Sequence, residues 1–198
     1  MKNFAATVTV GFLMLSVLSP NADAQAFGIR MGQKVASLDG AVEHKESRGR
    51  ATRQYSVKTV PLPHSEFESY TVLETTKQGI CKVVGIGKTH SADKYGVSLR
   101  SAFDDLDAAL TSKYGEGKKF DFLHSGSIWS DADEFAMSLR LEERSLSKFW
   151  EMNEGAISSI ALTAHALSPT DTYLRINYEF TNFEDCIAEN KLGDQDGL

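Results

Sequence analysis

Residues 27–41, FGIRMGQKVASLDGA, align without a gap on residues 95–109, YGVSLRSAFDDLDAA, 68 positions further along the chain. Aromatic meets aromatic at Phe27 and Tyr95, glycine meets glycine at Gly28 and Gly96, and Ile29 meets Val97. Met31, Val35, Leu38 and Asp39 then match Leu99, Phe103, Leu106 and Asp107. A chain that writes one pattern twice is expected to build one kind of unit twice. In both copies the apolar residues fall four and three apart, which lines them along one face of a helix. The second helix is predicted over 98–114, stopped by Gly115 and Gly117. The first is expected to be short and to end near Gly40.

Behind each copy the apolar period drops from helical to two, the signature of strands. The first half offers strands at 54–60, 67–75 and 80–88, punctuated by Pro61, Pro63 and Gly79. The second offers 148–152, 157–166 and 172–180, with turns at 153–155 and 168–171. Leu174, Ile176, Tyr178 and Phe180 alternate with Arg175, Asn177 and Glu179, as in a half-buried antiparallel strand, and Ile160, Leu162, Ala164 and Ala166 do the same on its neighbour. The fold expected is therefore α+β: two tandem units, each a helix plus a three-stranded antiparallel sheet, spanning 25–92 and 93–198. The second unit carries a helical insertion at about 120–144, with Ser130 or Asp131 as its N-cap, and a C-terminal tail.

Ile29, Met31-Gly32, Val35, Leu38 and Gly40 together resemble the opening of the units in the β-lactamase-inhibitor-protein fold and in related small outer-membrane-assembly lipoproteins. There a glycine, a short helix and a second glycine precede three strands. The resemblance implies that fold and a role in binding other proteins; no binding residue carries over from it. The second copy departs from the pattern, with Arg100 and Ala108 where the two glycines stand, and no lipidation cysteine is present.

Residues 1–24 read as a secretory leader. Lys2 supplies the positive start, 4–18 the apolar stretch, Pro20 the break, and Ala22 and Ala24 the small residues before a cleavage point, with Ala26 closing a second acceptable site. The apolar stretch is shorter than the ~20 residues a spanning helix needs. An exported protein, periplasmic or secreted, is expected, with no transmembrane segment in its mature form. In that compartment the chain's two cysteines, Cys81 and Cys186, are expected to pair. The net charge of −6 argues against nucleic acid, which demands a clustered positive surface.

Several catalytic motifs fail on inspection. Gly87-Lys88-Thr89 ends like a phosphate-binding loop, but Lys82 stands where its first glycine belongs and no helix follows directly. Ser145 with Lys148, and Ser91 with Lys94, satisfy S-x-x-K without the companion elements of penicillin-interacting enzymes. The five histidines are scattered with no metal-ligand spacing, and the neighbouring acids Asp104-Asp105 and Glu142-Glu143 lack the geometry of an acid/base pair. No catalytic, cofactor or metal residue is therefore assigned. Two features could meet a partner: the basic run 45–53 with Arg48, Arg50 and Arg53, and the aromatic set Trp129, Phe135, Phe149 and Trp150. The function expected is an exported, non-catalytic protein-binding module of the bacterial envelope, an inhibitor or an assembly factor, whose partner is another envelope or extracellular protein. A carrier of small apolar ligands, and an enzyme in which His124, His165 and acidic residues converge, are the alternatives.

Overall fold

The computed structural model describes residues 25–195. The proposed leader and its cleavage point at Ala24 lie outside them, whereas Ala26 is buried in the first strand. That strand, β1 (Gln25–Ala26), forms a hairpin with β2 (Ile29–Arg30) through Phe27 and Gly28. Both turn residues have positive φ, 54° and 81°, as a two-residue hairpin turn that follows strand twist requires. Phe27 holds this uncommon conformation because its ring packs edge-on against Phe67, Tyr70 and Tyr178 and lies over Gly85, where a Cβ would meet it at 3.0 Å.

The first helix of the expected pair is not formed. Lys34 is extended, Val35–Ser37 makes one 3-10 turn, and Leu38 is extended again. Gly32 and Gly40 bound the segment at φ 72° and 66°, values a right-handed helix cannot contain. Arg100 and Ala108 stand at the matching positions of the second copy, and there the chain forms α1 (Val97–Tyr114). The buried Val35 and Leu38 still face inward from the single turn, whose first N–H donates to Glu74 Oε1 at 2.9 Å.

The remaining strands are β3 (Val42–Glu43), β4 (Thr52–Val57), β5 (Phe67–Thr75), β6 (Gly79–Gly87), β7 (Lys118–Leu123), β8 (Arg144–Glu151), β9 (Ile157–Ala166) and β10 (Thr172–Phe180). They join in one antiparallel sheet of eight, in the order β3-β4-β5-β6-β10-β9-β8-β7. All six strands read from the sequence are present. The short β3 and the edge strand β7 were not anticipated. The latter begins just before the expected helical insertion and runs into it, so the insertion is helical only at Ala132–Glu134 (3-10) and α2 (Phe135–Arg140). Asp131 is its N-cap, in a reciprocal capping box with Glu134. The C-terminal tail contains the helix α3 (Phe183–Gln195).

One face of the sheet carries the core. Leu174, Ile176, Phe180, Ile160 and Leu162 point inward and meet Leu99, Phe103, Leu106 and Leu110 of α1. The Asp93 carboxylate accepts from Ser98 N and Leu99 N at 3.2 and 2.9 Å, anchoring the start of α1. Its far end is held by the buried Lys148 of β8, whose Nζ donates to Asp107 at 2.5 Å and Thr111 at 2.9 Å. Lys148 thus faces the helix, while Ser145, three strand residues earlier, faces the opposite way, so the S-x-x-K spacing does not bring the two together. Gly87-Lys88-Thr89 likewise leads into a β-bridge between His90 and Thr172 rather than a helix, and Gly87 admits the Leu174 carbonyl.

Candidate functional site: the open face of the sheet

Because directly paired residues share a face, the register names the side chains on the sheet surface away from α1. Lys118, Phe149, Ala161, Asn177, Val84 and Thr71 form one row across six strands. Phe120, Ser147, Thr163, Arg175, Ile86 and Ser69 form the next. Phe122 pairs with Ser145, and His165 with Tyr173, on the same face.

The two ends of this open face differ. Over β4, β5 and β6 lies α3, tied down by the disulfide between Cys81 and Cys186, whose Cα atoms are 6.7 Å apart. Thr52 Oγ1 donates to the Cys186 carbonyl at 3.2 Å, and Asn182 Nδ2 donates to the Gln78 carbonyl at 3.1 Å. The Lys82–Glu179 ion pair of 2.8 Å, with Lys82 over the Phe183 ring, marks the boundary of the roofed end.

Beyond that boundary, over β7, β8, β9 and β10, no helix among the described residues roofs the face, and in that sense it is bare. Phe149 and Phe122 are 40% and 43% exposed, and the Phe149 and Phe120 rings meet edge to face at 5.7 Å. Lys118 lies 5.0 Å from the Phe120 ring centre. A groove of about 800 Å³ runs here, lined by Phe120, Phe149, Lys118, Glu151, Ser159 and Asn177 among others. Arg175 Nε and Asn177 Oδ1, both buried within the side chains of this face, have no hydrogen-bond partner among the described residues.

The residues singled out from the sequence are dispersed. Trp150 is 1% exposed and donates from Nε1 to the Gly115 carbonyl, so its side chain belongs to the core, although the residue also borders the groove. Phe135 is equally buried, its ring filling the space beside Gly96 and flanked by the Arg100 and Arg144 guanidiniums. Trp129 is half-buried in the loop after β7. Arg48 and Arg50 are exposed in the link between β3 and β4 and carry no ion pair among the described residues, whereas Arg53 reaches Glu74 at 3.8 Å and stacks on Tyr55. Only Phe149 of the aromatic set stands on the bare face.

His124 packs against Phe122, and His165 bonds Thr163 at 2.8 Å and stacks on Tyr173. Burial, then Arg175, hold the His165 imidazole below the ordinary histidine range, with Glu142 opposing. Neither ring is hydrogen-bonded to a carboxylate among the described residues. The histidine that is so bonded is His90, whose Nε2 meets Glu66 Oε1 at 2.8 Å while Lys88 holds the other carboxylate oxygen at 3.1 Å. No hydroxyl is hydrogen-bonded to that imidazole among the described residues, so the pair lacks the nucleophile of a hydrolytic triad. It clips the start of β5 to the segment after β6. No group of three or more potential ligands for a metal ion occurs among the described residues. No helix among them is long and apolar enough to cross a membrane.

Phe120 and Phe122 were missed because the insertion was read as helical. The signal was present: Lys118, Phe120 and Phe122 alternate with Lys119 and Asp121, a strand period rather than a helical one. No family model, curated protein or solved structure matches this chain.

Proposed function

We propose that the protein is an exported, non-catalytic binding module that docks another envelope or extracellular protein on the bare end of its open face. The observation that carries this reading is the pair of exposed phenylalanines, Phe122 and Phe149, on a face whose groove is lined by Phe149, Phe120, Lys118 and Asn177. Aromatic anchors with a few convergent polar groups are what an interface core uses, and water gains nothing from such a surface. The disulfide supports export, because such bridges persist in oxidising compartments.

The sheet order supports a further part of the reading. The first half contributes β3-β4-β5-β6 and the second β7-β8-β9-β10, and the last strands of the two meanders pair. We take each meander as one copy of the duplicated unit, in the manner of the β-lactamase-inhibitor-protein fold, with the helix kept in the second copy alone. An inhibitor and an assembly factor would use the same surface.

The test is affinity capture from envelope extract, comparing the native protein with Phe122→Asp/Phe149→Asp and with Arg48→Glu/Arg50→Glu. The reading expects a partner retained by the arginine variant and lost by the phenylalanine variant. Equal retention by both, with native folds, would sink it.

A further inference from the structure

A second concavity lies on the other side of the sheet, between α1, β10 and the loop before β5. It is an open concavity of about 280 Å³, just under the ~300–1,000 Å³ usual for small-molecule sites. Its walls are largely apolar and include Phe27, Phe67, Leu106, Leu110 and Ile176. Three features distinguish it from a packing defect. First, the Phe27 side of the wall is rigid, since that residue is locked at positive φ by three aromatic neighbours, and the Phe27 carbonyl accepts from Leu62 N at 3.0 Å.

Second, polar groups converge on it. Tyr178 lines the pocket beside Tyr114. Burial raises the Tyr178 phenol well above the ordinary tyrosine range, so it stays a neutral donor. Third, the charge at the pocket is one-sided. Lys113 lines it from the exposed side, over the Tyr114 ring at 5.0 Å, and has no ion pair among the described residues. His64 also lines it, and no carboxylate among the described residues does. A cationic, acid-free mouth on a chain of net charge −6 selects for anions.

We propose that this pocket binds a small amphipathic anion, an aryl or short-chain alkyl carboxylate, with its apolar body among Phe27, Leu106, Leu110 and Ile176 and its charge at Lys113. Tyr178 supplies a hydrogen bond within. The site is separate from the bare sheet face, so either assignment can fail without the other.

The experiment is a fluorescence titration of the purified protein with 1-anilinonaphthalene-8-sulfonate, followed by displacement with octanoate or octylamine. Saturable one-to-one binding is expected, displaced by octanoate and not by octylamine at the same concentration. Ala109→Trp, on the exposed side of α1 and at the pocket wall, should fill the space and weaken probe binding about tenfold or more. Lys113→Glu should weaken octanoate by up to about fivefold, while Lys118→Glu on the opposite face leaves it unchanged. Near-ultraviolet circular dichroism establishes that each variant is folded. No saturable binding, equal displacement by octylamine, or native binding by folded Ala109→Trp would overturn the proposal.

Discussion

The two ends of the open face are built from the same sheet yet treated in opposite ways. At the β4-β5-β6 end the outward residues include Thr52, Gln54 and Leu73, which are mostly polar, and α3 nevertheless covers them. At the β7-β8 end the outward residues include Phe120, Phe122 and Phe149, and nothing among the described residues covers Phe122 or Phe149. A fold driven only by apolar burial would place its spare helix over the phenylalanines. The roof instead sits where a covalent bond holds it, and among the described residues the apolar end is left open, which is the arrangement the proposed docking role calls for.

The largest effect should come from cutting the roof's tether. The Cys81–Cys186 bridge closes a loop spanning 105 positions, for which the chain-entropy relation gives up to about 4–5 kcal/mol. Urea unfolding of Cys81→Ser/Cys186→Ser should show a loss of that order. If α3 is held equally well by its noncovalent contacts, the midpoint will barely move and the contrast between the two ends loses its cause.

Next is a pair of neighbours on one strand. Trp150 points into the core and Phe149 points out from the open face. Trp150→Ala should cost about 3–5 kcal/mol. Phe149→Ala should cost no more than about 1 kcal/mol, being a partly exposed site, and should act on partner binding instead. Similar losses at the two positions, read by thermal unfolding, would mean that the bare end is ordinary core periphery.

A smaller change is expected at Asp131, whose side chain accepts from the Glu134 backbone in the capping box that starts the insertion. Asp131→Ala should cost about 1 kcal/mol, with Asp131→Asn recovering most of it; unfolding midpoints decide.

The smallest effect is one of pH. His165, on the open face, is held below the ordinary value by burial first and by Arg175 second. The unfolded chain takes up a proton near pH 6.5, whereas the folded protein resists protonation until a lower pH. Below about 6.5 the unfolded state therefore binds more protons, and stability falls with pH until the folded value is passed. His165→Gln should flatten the pH dependence of the unfolding midpoint between pH 7 and 5. An unchanged slope would show that His165 is freely solvated.

What was legible in the sequence follows from how local each determinant is. The strands β9 and β10 and the helix α1 announce themselves because one face of each is buried, so period and burial coincide. The first repeat misled because its spacing is helical while Gly32 and Gly40 bound it in a left-handed conformation; two glycines outweigh three apolar positions. The helix α3 was missed because only Cys186 is buried along its described side chains, leaving no apolar stripe, although Asn182 followed by Glu184 and Asp185 marks a helix start. The bare face could not be read in advance. It depends on β7 pairing at the sheet edge and on where α3 lands, and both are long-range outcomes.

The most direct test places a photo-crosslinking p-benzoylphenylalanine at Phe149 or Phe122 on the bare face, and at Val97 or Leu167 as exposed apolar controls elsewhere. The protein is then irradiated in the cells that make it. The account predicts a discrete adduct of one size from Phe149 and Phe122 and none of that size from the controls. Adducts of that size from the controls, or none from the bare face, would contradict the claim that this surface is kept for a partner.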